Sequence, residues 1–247
     1  MYTQTYEIAR LTVQIESIYT LVHHYCKAYM TQKPAQFTIT ISQADIDFER
    51  IKSAREDQIE GLPIQDHSDA YLETLAVYRK LANRMLQENT LLFHGSAIAV
   101  DGQAVLFTAK SGTGKSTHTK LWRDLFGDRA VMVNDDKPLL RILEDGVLVC
   151  GTPWDGKHRL STNCALPLNA ICILERGEEN VITPISPKEA LPMVLQQSFR
   201  PDNPAGVARL LQVVNDLSGK VAFYRLRCNM EPEAAKVAYE GMLKSAK

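Results

Sequence analysis

A short run of glycines followed by lysine and serine has the residue types and the spacing of a phosphate-binding P-loop. In the signature G-x-x-x-x-G-K-[ST], glycines let backbone N–H groups surround phosphate oxygens, the lysine neutralises the terminal phosphates and the hydroxyl binds Mg²⁺. Gly112, Gly114, Lys115 and Ser116 fit this pattern, whereas Ala109 stands at the position of the first glycine. That departure matters only if residue 109 needs a positive φ angle, where alanine is sterically strained.

The segments on both sides of the run support the same interpretation. Residues 104 to 108 are apolar and rich in strand formers, and residues 117 to 126 place Leu121, Trp122 and Leu125 at helical spacing. A helix that starts after the loop directs free N–H groups and the positive end of its dipole at bound phosphates. A surface turn that contains a lysine is the alternative. We predict that the phosphates of ATP bind to Ser111, Gly112, Thr113, Gly114, Lys115, Ser116 and Thr117.

A pair of carboxylates, Asp135 and Asp136, follows a buried type of strand at residues 130 to 134. Carboxylates at the end of a strand in a phosphoryl-transfer site bind Mg²⁺ or accept the proton of an attacking hydroxyl. The sequence leaves open which aspartate has which role. A turn before Pro138 is the alternative, because turns also favour aspartate and proline.

Two Asp-Gly pairs predict β-hairpins. The pair at 101–102 lies between strand-like runs at 91–100 and 103–108, and the pair at 145–146 lies between two more. The first hairpin gives the strand before the glycine run an antiparallel neighbour, so we expect a mixed α/β sheet instead of a parallel one. This hairpin would also bring His94 beside the phosphates; a histidine satisfied within the sheet is the alternative.

Together these motifs resemble the kinase domain of HPr kinase/phosphorylase, a family related in fold to phosphoenolpyruvate carboxykinase. The resemblance rests on the His-Gly pair at 94–95, the run at 109–117 and the Val-Asn-Asp-Asp sequence at 133–136. It implies that Asp135 is the general base for the acceptor hydroxyl and that Asp136 lies by the metal. It also implies that the histidine of the pair lies close to the phosphates.

The sequence therefore predicts an ATP- and Mg²⁺-dependent kinase that transfers the γ-phosphate to a hydroxyl of a small molecule or of a serine in a peptide or protein. The predicted catalytic residues are Asp135, His94 and Lys115, and Ser116 with Asp136 would hold Mg²⁺. Two alternatives stay open. One is a nucleotide-binding regulatory module without turnover, and the other is a compact enzyme similar to phosphoenolpyruvate carboxykinase, which kinship of fold alone suggests.

The first 88 residues predict a smaller α+β region ahead of the kinase domain at residues 89–247. Within that region, the hydrophobic pattern favours strands at 6–15 and 36–41 and helices at 18–30 and 68–87. The region either recognises the substrate or extends the main sheet.

A loop rich in glycine, proline and basic residues follows the second hairpin. Its cations Lys157 and Arg159 either bind an anionic substrate or lie in a solvated turn.

Composition limits the class of protein further. The 247 residues, of which 45% are hydrophobic, suffice for one large core with a smaller satellite domain. Because the formal net charge is −1 and no basic run is present, nucleic acid and membranes are not expected partners. The N-terminus lacks the layout of a signal peptide and no apolar stretch is long enough to span a bilayer, so we expect a cytoplasmic protein. The five cysteines contain no C-x-x-C pair and are expected to be free thiols. The sequence leaves the oligomeric state open.

Overall fold

The computed structural model describes residues 1–156 and 158–244. They form two compact units, one ending at Arg84 and one beginning at Met85. Helix α3 (Asp69–Leu86) crosses this division. No helix in the described part of the chain is long and apolar enough to cross a membrane.

The first unit has a three-stranded sheet in the order β1-β2-β3, with the first pair antiparallel and the second parallel. Alternating apolar residues explain the central strand, because Leu11, Val13 and Ile15 are all buried. The α+β character is confirmed. Besides α3, the elements are β1 (Tyr2–Ile8), β2 (Leu11–Ser17), α1 (Leu21–Tyr25), a 3₁₀ turn (Lys27–Tyr29), β3 (Phe37–Thr40) and α2 (Gln43–Glu60).

Two local predictions for this unit are wrong, and one helix was missed. The single strand expected at 6–15 belongs to two strands, which meet at a turn where Ala9 and Arg10 both have positive φ angles. The helix expected at 18–30 is only a short helix followed by a 3₁₀ turn. Helix α2 was not predicted.

The second unit has a mixed sheet in the order β4-β8-β9-β10-β6-β5-β7, and β12 and β11 continue from the second half of β10. Strand β6 is antiparallel to β5 and parallel to β10, which confirms the mixed sheet. The elements are β4 (Thr90–Leu92), β5 (Ser96–Val100), β6 (Gln103–Thr108), α4 (Lys115–Phe126), β7 (Ala130–Asn134), β8 (Leu139–Ile142), β9 (Val147–Cys150), β10 (Ala165–Arg176), β11 (Val181–Ile185), α5 (Pro187–Gln197), α6 (Pro204–Ser218), β12 (Ala222–Cys228) and α7 (Pro232–Tyr239), which continues as a π-helical turn (Glu240–Lys244).

Both predicted hairpins form. The turn between β5 and β6 has positive φ angles at Asp101 and Gly102, as a type I′ turn requires. Strands β8 and β9 also pair, but Gly146 has no positive φ angle and the Leu143 N–H donates to the Gly146 carbonyl instead. The second hairpin therefore closes with a longer, different turn.

Two hydrophobic clusters lie on opposite faces of this sheet. Helices α5 and α6 cover one face, and α4 and α7 cover the other. Successive residues of β6 alternate between them: Leu106 belongs to the first cluster, and Val105 and Phe107 to the second. Because both faces are buried, these strands are apolar throughout.

The strand directions determine where the candidate groups lie. Strand β5 is antiparallel to both β6 and β7, with Ser96 opposite Phe107 and Ala97 opposite Asn134. The start of β5 and the ends of its two neighbours therefore lie at one edge of the sheet. The glycine run, the two aspartates and His94 all meet at this edge.

Candidate functional site

The glycine loop, residues 109 to 116, connects β6 to α4. Gly112 and Gly114 have φ angles of +75° and +118°, at which a side chain would be strained. Ala109 is buried and does not have a positive φ angle, so the missing first glycine causes no strain there. Gly114 is also the N-cap of α4, and as a glycine it offers no side chain to the first N–H groups of the helix. These groups are available to an anion.

The Lys115 side chain bends back over the loop that precedes it. Its Nζ atom lies 3.3 Å from the Ala109 carbonyl oxygen. Burial lowers the pKa of Lys115, and the neighbouring charge of Lys137 lowers it further, while Asp136 and Asp135 oppose both effects. The lysine thus lies within electrostatic reach of both predicted carboxylates.

The Asp136 carboxylate lies between two donors. Its Oδ1 atom is 3.2 Å from His94 Nε2, and its Oδ2 atom is 3.2 Å from Lys137 Nζ. Burial alone would raise the pKa of Asp136, but the hydrogen bond from His94 and the charge and hydrogen bond of Lys137 outweigh it and lower this pKa. Asp136 is therefore held as a carboxylate at one edge of the site.

The Asp135 carboxylate has different surroundings. It is only 6% exposed, and its Oδ1 atom accepts a hydrogen bond of 2.7 Å from the hydroxyl of Ser96. Ser96 Oγ also lies 3.1 Å from the hydroxyl oxygen of Thr119 on α4. The second carboxylate oxygen, Oδ2, lies on the side of Gly156, where an added Cβ atom would be 3.3 Å away.

Asn134 fixes the turn that carries both aspartates. Its Oδ1 atom accepts the backbone N–H groups of Asp136 and Lys137, at 2.9 and 2.6 Å. Its Nδ2 atom donates to Thr152 Oγ1 at 3.1 Å and to the Trp154 carbonyl at 3.2 Å. This buried amide therefore also ties the loop that follows β9 to the end of β7.

A cavity of about 470 Å³ adjoins the glycine loop. Its walls include the apolar side chains of Leu121, Leu174 and Met230. Arg176, at the end of β10, lines it as well and donates from Nη2 to the Gly112 carbonyl at 2.5 Å. The cavity thus opens beside the loop on the second unit and offers an apolar surface, with the charged residues Glu175 and Arg176 also in its wall.

His118 forms part of the inner wall of that cavity. The side chain is 3% exposed, and its Nε2 atom accepts a hydrogen bond of 3.2 Å from Trp122 Nε1. Burial lowers the pKa of His118 to about 4. The imidazole is therefore neutral at pH 7 and carries its proton on Nδ1, for which the described residues provide no acceptor.

The structure gathers most of the predicted site residues at one sheet edge, and their roles stay predictions. Ser111, Ser116 and Thr117 are exposed on the loop and the first turn of α4, and Thr113 Oγ1 donates to the Lys110 carbonyl. Arg159 is exposed on a turn that its own N–H closes with the Gly156 carbonyl. Lys157 lies outside the described residues.

Several residues of this site were not found from the sequence. Lys137 directly follows the aspartate pair, and Ser96 directly follows the His-Gly pair. Their positions next to predicted site residues could have identified them from the sequence. Thr119 lies one turn beyond Lys115 on the same helix. Arg176 has no local signal, because only the pairing of β10 with β6 brings it to the loop.

The donor atoms near the loop fit a hard cation better than a soft one. Among the described residues, no group of three or more histidine, cysteine or acidic side chains could hold a metal by itself. The Ser116 hydroxyl and the Asp136 carboxylate are oxygen donors, which Mg²⁺ prefers, and Mg²⁺ commonly completes its shell with phosphate oxygens and water. The chemistry of these oxygen atoms would suit Mg²⁺ bound together with a phosphorylated ligand.

The fold and the site define a mixed α/β protein with a glycine loop at the start of a helix and a carboxylate pair after the neighbouring strand. The family model for SynChlorMet cassette protein ScmC matches residues 62–233. The chain therefore belongs to the ScmC family, which is a different family from the HPr kinase family that the sequence motifs resemble. A search of curated proteins found no match.

A solved structure of the HPr(Ser) kinase/phosphatase from Coxiella burnetii is similar to the chain. The two share 13% sequence identity with a TM-score of 0.38. The similarity covers 63% of this chain and 99% of that one.

Proposed function

We propose that this protein binds ATP at the glycine loop and, with Mg²⁺, transfers the γ-phosphate to a hydroxyl group of a small molecule or of a serine in a peptide or protein. The observation that carries the proposal is the meeting of Lys115 and the first turn of α4 with Asp135 and Asp136 at one sheet edge. Phosphoryl transfer requires a phosphate-binding site, a metal ligand and a base. The start of α4 and the two carboxylates, which have different environments, could supply them.

The loop supplies the phosphate contacts. Backbone N–H groups at the start of α4 and the ammonium of Lys115 would hold the β and γ phosphates. Lys115 now contacts the Ala109 carbonyl, a weak partner that a phosphate oxygen readily replaces. The cavity walled by Leu121, Leu174 and Met230 adjoins the same loop, and its apolar surface suits the base of the nucleotide.

The two carboxylates would have different roles, one as proton acceptor and one as Mg²⁺ ligand. Asp135 has one oxygen tied to Ser96 and the other, on the Gly156 side, left to accept the proton of the attacking hydroxyl. Asp136, held ionised by His94 and Lys137, would bind Mg²⁺ together with Ser116. When bound, Mg²⁺ would neutralise charge that develops on the phosphate oxygens.

A nucleotide-binding module without turnover is a second candidate, and one observation favours it. Asp135 is 6% exposed, which leaves little of its surface open to an acceptor. Such a module would bind ATP with the same loop and would leave the phosphate in place.

Calorimetry with ATP and Mg²⁺ followed by a transfer assay with labelled ATP tests both candidates. The acceptor screen contains hydroxyl-bearing metabolites and serine peptides, and oxaloacetate with GDP or ADP is included to test carboxykinase chemistry. Acceptor-dependent label transfer supports the kinase. Tight ATP binding without transfer to any acceptor supports the module, and failure to bind ATP contradicts both.

A further inference from the structure

We infer that the hydroxyl groups of Ser96 and Thr119 form a directed hydrogen-bond relay that holds Asp135 in position, with Oδ1 tied and Oδ2 left for the acceptor. The inference rests on the proposed function and assigns both residues as positioning residues of the transfer. Neither belongs to the glycine loop or to the aspartate pair.

The direction of the relay follows from counting hydrogens. Ser96 has one hydroxyl hydrogen, and an ionised carboxylate can only accept, so the 2.7 Å contact must be a donation from Ser96 to Asp135. Because that hydrogen is used, a hydrogen bond across the 3.1 Å contact between the two hydroxyls must be donated by Thr119. The carbonyl oxygens of Ser116 and Lys115 lie at similar distances from Thr119 Oγ1, 3.2 and 3.3 Å, and compete for the same hydrogen.

Burial gives this relay its strength. Ser96 and Thr119 are 0% and 1% exposed, so water has no access with which to replace a lost hydroxyl. In such surroundings hydrogen bonds in series polarise one another, and a bond to a charged acceptor is stronger than one between neutral groups. Removing either hydroxyl therefore leaves the carboxylate incompletely held.

The relay also connects two parts of the site that must stay in register. Thr119 lies one helical turn after Lys115 on α4, and Ser96 begins β5, the strand beside β7 and its aspartates. A small displacement of a reacting group costs a large part of the rate without changing how tightly the substrate binds. The relay thus fixes the distance between the phosphate-binding helix and the base.

The position of Asp135 matters for the transfer step itself. The acceptor oxygen forms a bond to the γ phosphorus while its proton passes to Asp135 Oδ2. The bond between the γ phosphorus and the bridging oxygen breaks, and ADP leaves with that electron pair. Rotation of Asp135 away from the acceptor slows this step but leaves the ATP contacts at the loop intact.

Paired substitutions separate positioning from general structure. Ser96→Ala and Thr119→Val remove the hydroxyls, Ser96→Thr and Thr119→Ser keep them, and Ser218→Ala removes a hydroxyl that donates within α6 to the Val214 carbonyl. We expect kcat to fall about tenfold to a hundredfold in Ser96→Ala, in line with the cost of a misplaced reacting group, with Kd for ATP within about twofold.

The remaining variants decide whether the two hydroxyls act as a unit. Thr119→Val should lower kcat about threefold to tenfold, and the double variant should be no slower than Ser96→Ala alone, because the relay is already broken. Thr119→Ser and Ser218→Ala should stay within about twofold of wild type. The relay is wrong if the losses of kcat in Ser96→Ala and Thr119→Val add in the double variant. It is also wrong if Thr119→Ser loses as much kcat as Thr119→Val, and this comparison can be made even if the Ser96 variants do not fold.

A readout independent of turnover keeps this inference apart from the proposed function. Buried hydroxyl protons in a relay exchange slowly with solvent, so NMR should detect those of Ser96 and Thr119 in the wild-type protein. Ser96→Ala should remove the first and accelerate exchange of the second. A wild-type protein that shows both protons but transfers phosphate to no acceptor contradicts the kinase and not the relay, whereas fast exchange at both hydroxyls contradicts the relay.

Discussion

His94 Nε2 lies 3.2 Å from Oδ1 of Asp136, and the two residues are also joined through the backbone next to His94. The Gly95 N–H donates to the Asp136 carbonyl at 3.1 Å. A Cβ atom on Gly95 would lie 2.9 Å from the Phe107 carbonyl oxygen, so only glycine lets the chain pass there. The His-Gly pair therefore contacts Asp136 through both a side chain and the backbone. A bound phosphate that His94 also contacts would lie beside the Asp136 carboxylate.

Replacing Lys115 tests the loop. Lys115→Ala should abolish the effect of ATP on thermal stability while the melting temperature without ATP stays close to wild type, because within its own loop the side chain makes the weak contact with the Ala109 carbonyl. In wild type, ATP at a hundred times its Kd should add about 2.7 kcal/mol of stability. Lys120→Ala, which removes an exposed lysine paired with Asp124 on the same helix, is the control. Equal ATP affinity in Lys115→Ala and the control would contradict the loop's assignment.

Replacing each aspartate separately distinguishes their roles. Asp135→Asn should lower kcat by at least about a hundredfold with little change in ATP affinity, since general bases contribute on that scale. Asp136→Asn should mainly weaken Mg²⁺-dependent ATP binding, measured by calorimetry across a Mg²⁺ titration. Asp128→Asn, an exposed aspartate after α4, serves as control. If both site variants keep turnover within a few fold of wild type, the two-carboxylate site is wrong.

Local signals were sufficient to predict the centre of the site. The Asp-Gly pair at 101–102 specifies the β5–β6 hairpin, and the antiparallel direction that follows brings His94 and the loop to one edge. The loop and the first turn of α4 are encoded by the glycines and by residues that follow directly. These features depend on contacts between near neighbours in the chain, which a sequence pattern records.

Features that depend on distant pairing could not be predicted in the same way. Strand β10 lies between β6 and β9 and places Arg176 against the loop. The residues of β10 do not indicate which strands it pairs with. The β1–β2 turn uses Ala9 and Arg10 at positive φ angles, where the usual signal is glycine or asparagine. Helix α2 has a capping box but a polar, weakly patterned surface, so its hydrophobic periodicity was not visible.

The contact between His94 and Asp136 predicts a graded series at position 94. His94→Gln keeps a hydrogen-bond donor and should lower the transfer rate about threefold to tenfold, whereas His94→Ala removes the donor and should cost more, of the order of a lost hydrogen bond to a charged group. ATP affinity should change only modestly in both. His24→Ala, an exposed histidine of the first unit, is the control. Wild-type rates in both position-94 variants would show that His94 is structural.

The approach of Gly156 to Asp135 predicts that an added methyl group blocks the acceptor. A Cβ atom at residue 156 would lie 3.3 Å from Asp135 Oδ2, close enough to occupy the space an attacking hydroxyl needs. Gly156→Ala should therefore lower kcat/KM for the acceptor about tenfold with unchanged ATP affinity, an effect on the scale of partly misplaced reacting groups. Gly146→Ala is a matched control, because nothing lies within 4 Å of its added Cβ atom. Equal kinetics in the two variants would show that the acceptor does not approach Oδ2 from this side.

The burial of His118 predicts a specific dependence of stability on pH. Burial lowers the pKa of His118 from its ordinary 6.5 to about 4, so between these values the unfolded chain binds a proton that the folded protein does not. The free energy of unfolding is therefore fully retained above pH 6.5 and decreases as the pH falls toward 4, by about 3 kcal/mol for a difference of this size.

His118→Gln removes this titration and keeps an oxygen that can accept from Trp122 Nε1, the present donor to His118. Denaturant titrations at pH 7.5, 6 and 4.5 should show a smaller loss of stability in this variant than in wild type, even if the variant is less stable at pH 7.5. His24→Gln changes an exposed histidine and should keep the wild-type dependence. Parallel curves for wild type and His118→Gln would mean that His118 binds a proton as readily in the folded protein as in the unfolded chain, and would contradict the lowered pKa of this residue.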